Sequence, residues 1–352
     1  MAEAGNNPSC QKLNSGKDDT YCLCVHPSGV LYSGHDSCYI SWKDGKRIEK
    51  VPLGGTVTCI SSSAVDDNFL AVAVDNVVAV YDRRYTSKPV QEFQFNQEEI
   101  NQTVLNEKGN FLAACDDSGE IKIIDLESNK LYKTLTKHHT NICSSVQFRP
   151  TKPSELITGA LDCTVIRWDY TKNQPLDKIS MQLGEHDSYS INPPMVHAVS
   201  IASHGNVFTC GLGNGSVAIY KILGKNITKL ACMKKLHQVC CSHLQYAQFA
   251  AGKGDCVLSG GNDGKVLLFQ VTEKEPLQPA VKKPGTAKTA SKGKSKRKSP
   301  QTEISAEPMV DIDVSLCLQH GSKVNWIASH PEQSHVYVAD QTQYISVYHL
   351  QL

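Results

Sequence analysis

The sequence contains no long uninterrupted apolar run. Its longest, residues 69–81, is broken by Asp75 and Asn76 and falls short of the roughly 20 residues that a membrane-spanning helix needs. No membrane span is therefore expected. Residues 1–16 hold no apolar core of the kind a secretory signal carries, which argues against export. Helical periodicity is also missing. Only residues 97–108 have the composition of a helix, and their β-branched Ile100 and Val104, set among strand-like repeats, favour a strand. The fourteen cysteines do not form a secreted disulfide pattern. Cys22, Cys24, Cys59, Cys143, Cys210 and Cys256 sit inside apolar runs, where cysteine behaves as a small buried hydrophobe. Free thiols and a reducing compartment are expected.

Net charge is nearly absent, with 36 basic residues against 35 acidic ones, a formal +1. That balance is a cancellation. Residues 281–300 carry eight basic residues, Lys282, Lys283, Lys288, Lys292, Lys294, Lys296, Arg297 and Lys298, and no acid. Setting these aside leaves 28 basic against 35 acidic residues, a net of −7 for the rest of the chain. The wider stretch 272–308 is rich in Lys, Pro, Ser, Thr and Gly and has almost no large apolar residues. Too little surface can be buried there to offset the entropy of ordering, so it reads as a disordered insert. Lys282 and Lys283, a ten-residue spacer, then Lys294, Lys296, Arg297 and Lys298 fit a bipartite nuclear-localisation pattern. Non-specific attraction to nucleic-acid phosphates and a merely solvated segment are the other readings. No aromatic interrupts the tract, so base stacking and specific nucleic-acid recognition are not expected. Phosphorylation at Ser299, beside Pro300, would place negative charge next to the cluster.

What is present is a repeat. Short runs rich in β-branched and aromatic residues, bounded by Gly, Asp, Asn and Pro, recur along the chain. Asp36, Asp75, Asp162, Asn214 and Asp263 each stand six residues before an aromatic: Trp42, Tyr81, Trp168, Tyr220 and Phe269. Two looser units run from Asp116 to Ile124 and from Asp340 to Tyr348. With the insert excluded, the spacing is about 45 residues for each of seven units, the period of a four-stranded propeller blade. The expected architecture is all-β, a seven-bladed β-propeller. Its units are residues 20–51, 56–95, 100–135, 141–181, 195–233, a sixth that starts near 242 and resumes at 311–319 after the insert, and 322–350. In domain terms, residues 1–17 are an N-terminal segment and 18–271 hold blades one to six in part. The basic insert is 272–308, and 309–352 complete blades six and seven. The seventh unit is one strand short. Residues 9–13 are left over before the first and are expected to supply that strand, closing the ring without an open sheet edge.

Trp168 with Asp169, Tyr81 with Asp82, Ile124 with Asp125, and the upstream His139, His237 and His320 resemble the WD-repeat β-propeller family. Segments 98–101, 116–123, 141–146, 260–265, 323–326, 339–342 and 345–348 are similar to one subgroup of it. The resemblance implies a structural hydrogen-bonded network of His, Ser/Thr, Asp and Trp, best matched by His139, Thr158, Asp162 and Trp168. It also implies a scaffold for protein partners, with no cofactor, acting as a monomer within a complex in nucleus and cytoplasm. On the face that carries the turn Asp residues, His35, Leu161 and Asn262 are candidate partner contacts.

Catalytic spacing is absent. His237, Cys240, Cys241 and His243 form the densest group of metal-ligand types. Strand alternation would put Cys241 and His243 on one face and Cys240 on the other, so no zinc is expected. The glycines at 205, 211, 213 and 215 precede no helix and form no phosphate loop. The sharpest motif is Tyr81, Asp82, Arg83 and Arg84. It resembles the Trp–Asp–x–Arg box with which WD-repeat substrate receptors of cullin-4 RING ubiquitin ligases dock on the damaged-DNA-binding adaptor. The next blade has Ile124, Asp125, Leu126 and Glu127, which reverses the charge, so no second box follows. Substrate receptor is the leading expectation. A general scaffold in a nuclear or chromatin-associated complex and a propeller hydrolase are the alternatives.

Overall fold

The computed structural model describes residues 8–181, 192–250, 255–274 and 310–351. These residues form seven four-stranded antiparallel sheets arranged as the blades of a propeller. The first strand, β1 (Cys10–Asn14), belongs to the last blade. Blade one is β2 (Cys22–Val25), β3 (Leu31–Gly34), β4 (Cys38–Lys43) and β5 (Lys46–Pro52); blade two is β6 (Val57–Ser62), β7 (Phe69–Val74), β8 (Val77–Asp82) and β9 (Gln91–Phe93). Blade three is β10 (Ile100–Leu105), β11 (Phe111–Asp116), β12 (Ile121–Asp125) and β13 (Lys130–Leu135). Blade four is β14 (Cys143–Phe148), β15 (Glu155–Ala160), β16 (Thr164–Asp169) and β17 (Gln174–Ser180). Blade five is β18 (Val196–Ile201), β19 (Val207–Leu212), β20 (Val217–Leu223) and β21 (Asn226–Met233). Blade six is β22 (Cys241–Tyr246), β23 (Asp255–Gly261), β24 (Lys265–Glu273) and β25 (Val310–Gln319); blade seven is β26 (Val324–Ser329), β27 (His335–Asp340) and β28 (Tyr344–His349), completed by β1. Among the described residues, the only helical element is a short 3₁₀ turn, Gln248–Ala250, and no helix is long and apolar enough to cross a membrane.

Burial follows position within the blade. The middle strands pack against neighbouring blades on both faces, so β7 reads as an unbroken apolar run, FLAVAV, with its four central residues buried. The outermost strands face solvent: β5 buries only Val51 of its seven residues. Residues 97–108 contain β10, in line with the strand reading. Nine of the fourteen cysteines are buried.

In six of the seven innermost strands the register slips by one residue near the start. The skipped residues are Thr58, Asn101, Ser144, His197, Ser242 and Asn325. A bulge of this kind re-aims a side chain, and here it reaches the next blade. Ser144 Oγ donates to Val196 O at 2.6 Å and Ser242 Oγ to Val324 O at 2.6 Å. Asn325 Nδ2 donates to Thr20 O at 3.2 Å, which ties blade seven to blade one. Close approach does the rest. A Cβ on Gly159 would stand 2.5 Å from Val196 Cγ1, and one on Gly260 would stand 2.6 Å from Val324 Cγ1.

The ring closes through β1. Cys10 to Asn14 pair with Tyr348 to Tyr344 on β28, and Leu13 is buried in the core between blades seven and one. The strand lies one residue later than the expected 9–13. A second boundary moves at the other end. β24 continues to Glu273, which pairs with Val310, so Thr272 and Glu273 are in blade six rather than in the insert. The β-branched Thr272 lies directly opposite Asp311 in that ladder.

Candidate functional site

The position four residues ahead of an innermost strand holds His139, His237 and His320 before β14, β22 and β26, and Asn96 before β10. Each side chain reaches back to the turn acid of its neighbouring hairpin. Blade four has the full set. Trp168 Nε1–H donates to Thr158 Oγ1 at 2.9 Å, Thr158 Oγ1 lies 2.7 Å from His139 Nε2, and His139 Nδ1 lies 3.2 Å from Asp162 Oδ2. Burial penalises the charge of Asp162. The contacts from His139 and Thr164, with the Thr140 N–H, outweigh that and hold its carboxyl at about 2. With Asp162 ionised, His139 Nδ1 is the nitrogen that donates to it, and Thr158 Oγ1 sits between the indole N–H and Nε2.

Other blades keep parts of this set. In blade six, His237 joins Asp263 at 3.0 Å and Ser259 at 3.0 Å, and the strand-end Phe269 adds no donor. In blade seven, His320 joins Asp340 at 2.9 Å and the Tyr348 hydroxyl at 2.8 Å. In blade three, Asn96 Nδ2 donates to Asp116 at 2.8 Å.

Blade one corrects the expectation for His35. Its side chain is 0% exposed and does not face a partner. Ser33 Oγ accepts the Trp42 indole N–H at 2.9 Å and lies 2.9 Å from His35 Nε2, while His35 Nδ1 donates to Asp19 O at 3.0 Å. The imidazole comes from the end of β3 instead of the preceding loop, and it fills the same buried role. Leu161 and Asn262 are half-buried at their turns, and Asn262 Oδ1 is buried without a hydrogen-bond partner among the described residues.

A bulge also overturns the expected alternation on β22. Cys241 pairs with Gly261 and His243 with Gly260, with Ser242 skipped. Cys241 therefore packs in the core between blades five and six. His243 instead stacks on Trp326, ring centroids 4.1 Å apart. Burial pushes His243 down to about 3, and its Nδ1 has no partner among the described residues. Trp326, from the innermost strand of blade seven, also packs against three core clusters spanning blades seven to three. Among the described residues, no group of three or more ligand-type side chains is placed to hold a metal.

The box after β8 divides its arginines. Tyr81 is buried. Arg83 turns inward: its guanidinium lies over the Tyr32 ring at 5.6 Å and donates to the Tyr32 hydroxyl and to Asp67 O. Arg84 turns outward, with its side chain 62% exposed and forked onto Asp82 through Nε at 3.0 Å and Nη2 at 2.7 Å. That fork holds Asp82 at about 2. Beside it, Tyr85 is 71% and Val90 63% exposed. Lys282, Lys283, Lys294, Lys296, Arg297 and Lys298 lie outside the described residues.

Residues 65–170 match the family model of the anaphase-promoting complex subunit 4 WD40 domain. The WD repeat-containing protein 53 homolog of Dictyostelium discoideum is 29% identical over 288 residues, 74% of this chain and 78% of that protein. The chain is a seven-bladed β-propeller similar to WD-repeat proteins. A shorter similarity, 30% over 97 residues, links it to the THO complex subunit 6 homolog of Danio rerio, covering 28% of this chain and 29% of that protein. WD-repeat propellers are in general non-enzymatic scaffolds, and this fold supports a role in protein interaction. Three features of the propeller were missed in the sequence: the Ser33–His35–Trp42 set, Ser259 as the hydroxyl of blade six, and Trp326 against His243. A hydroxyl nine or ten residues before the strand-end Trp marks the first of these, as Ser33 and Thr158 illustrate.

Proposed function

We propose that this propeller is a substrate receptor of a cullin-4 RING ubiquitin ligase and docks on the damaged-DNA-binding adaptor through the end of blade two. The observation that carries the proposal is the outward-facing Arg84. Its Nη1 makes no hydrogen bond among the described residues, while Nε and Nη2 are aligned by Asp82. A guanidinium held in this way keeps donors for a partner's carboxylate or carbonyl groups without having to be ordered on binding. Tyr85 and Val90 add exposed apolar surface at the same edge. The test is co-purification of the adaptor with Arg84→Ala from cells. Recovery should fall severalfold, and unchanged recovery removes Arg84 from docking.

A second reading is a scaffold in a nuclear or chromatin-associated complex that engages basic peptides. It is favoured by acids gathered on the face of the turn residues. Burial, then Asp117 and Asp75, push the Glu99 carboxyl up, and at the turn of blade one Asp36 accepts from Tyr21 at 2.6 Å. Binding of a Lys/Arg-rich peptide on that face should weaken steeply with salt. Under either reading the tract at 281–300 would direct part of the protein to the nucleus. A reporter fused to those residues that stays cytoplasmic would remove that assignment.

A further inference from the structure

A cavity of about 240 Å³ lies at the seam between blades seven and one. Its floor is apolar: Leu13 of the closing strand, Leu31, Trp42 and Val347, all buried. Its walls carry His330 and Tyr337, and these two define its chemistry.

His330 Nδ1 accepts the backbone N–H groups of Glu332 at 3.1 Å and Gln333 at 3.0 Å. Both are obligate donors, so Nδ1 presents a lone pair and the ring proton sits on Nε2. That Nε2–H makes no hydrogen bond among the described residues, although His330 is only 9% exposed. Gly29, at φ +79°, makes room for it, since a Cβ there would stand 2.6 Å from Nε2. The Tyr337 hydroxyl likewise makes no hydrogen bond among the described residues, and Tyr337 is 8% exposed. Two polar groups without a protein acceptor among the described residues, His330 Nε2–H and the Tyr337 hydroxyl, thus belong to residues that line one cavity with an apolar floor, where a ligand acceptor could replace water. His335 Nε2 and His349 Nδ1, on the same wall, pair with each other at 2.7 Å.

Lys43 and Asp44 line the cavity, and Glu332 adjoins its Gln333. Asp44 and Glu332 both act on His330, and Asp44 also acts on Tyr337. One cation against two anions gives a carboxylate no advantage. The space exceeds the ~150 Å³ of a cavity known to take benzene. We propose that this cavity is a binding site for a neutral, ring-sized apolar group bearing a carbonyl oxygen, which accepts from His330 Nε2–H and Tyr337 O–H.

The test is methyl NMR of the full chain, titrated with benzamide, toluene and benzoate, reading the Leu13, Leu31 and Val347 methyls. Benzamide should shift all three and bind at least about tenfold more tightly than toluene or benzoate, the factor that one hydrogen bond of ~1.4 kcal/mol confers. Tyr337→Phe, which keeps shape and fold, should remove most of that advantage over toluene. Methyls that do not move at saturating benzamide, or benzoate binding as tightly as benzamide, overturn the proposal. A further arm uses N-acetylphenylalanine methylamide. Tighter binding than benzamide identifies a partner's side chain and its carbonyl as the occupant, and weaker binding identifies a free small molecule.

Discussion

Trp168 donates its indole N–H to Thr158 Oγ1 at 2.9 Å, joining the neighbouring strands β16 and β15 inside blade four. The same hydroxyl meets His139 Nε2, so one oxygen satisfies two buried rings. Thr158→Val keeps the volume and deletes that oxygen, leaving the indole N–H and the imidazole Nε2 unpaired. Loss of about 1–3 kcal/mol of stability is expected, measured by urea unfolding. Thr158→Ser should retain most of the stability. A Thr158→Val variant as stable as the parent would remove the hydroxyl from this role.

His243 gives the propeller a pH dependence of known sign. Its folded value, about 3, lies below the ordinary 6.5 because burial disfavours the charged ring. Below pH 6.5 the unfolded chain takes up a proton that the folded chain refuses, so this site weakens the fold as pH falls from 6.5 towards 3. His243→Phe keeps an aromatic partner for Trp326 and removes the proton. The slope of stability against pH between 6.5 and 4.5 should become shallower by up to about 1.4 kcal/mol per pH unit. His26, lowered to about 4 by burial and then by Arg83, leaves part of the slope in place. Asp162 contributes in the opposite window. Its stabilisation is present above the ordinary 3.8 and is lost as pH falls towards about 2, so it does not interfere above pH 4.5.

The neighbouring Arg83 and Arg84 should separate stability from docking. Arg83→Ala removes the contacts to Tyr32, Asp67 O and His26 between blades one and two, and should cost about 1–2 kcal/mol in thermal or urea unfolding. Arg84→Ala loses an exposed fork to Asp82 and an exposed contact over the Tyr85 ring, and should unfold as the parent does. A destabilised Arg84→Ala would make any loss of adaptor recovery uninterpretable as docking. Normal unfolding with reduced recovery isolates the surface effect.

The seven-fold repeat was legible because it rests on residues that recur at fixed offsets: a turn Asp or Asn, then an aromatic six positions on. The site was less legible because it depends on single-residue register. Skipping Ser242 sends Cys241 into the core and His243 onto Trp326, and period-two alternation has no means of signalling the skip. His35 was misplaced for a related reason. Its neighbour Asp36 marks the turn, but the Ser33 hydroxyl and the Trp42 indole draw His35 inward to do what His139 does from a different strand junction. Arg83 and Arg84 are adjacent in sequence, and only the packing of Tyr32 and Asp67 decides which of them turns outward.

The closing strand tests whether the ring is one cooperative unit. Leu13 is 3% exposed and packs between blades seven and one, next to Leu31, Trp42 and Val347. Leu13→Ala should cost about 2–5 kcal/mol, the range for a buried leucine. Removing residues 8–15 should do more, because it strips β28 of its partner and exposes a row of unpaired backbone groups. An edge of that kind pairs with other chains. The truncated protein should therefore show a lower unfolding midpoint together with concentration-dependent association in size-exclusion chromatography. A monomeric truncation with an unchanged midpoint would mean that β1 decorates a ring already closed by the contacts of β26 with β2. A lowered midpoint without association would mean that β28 finds cover elsewhere on the same chain.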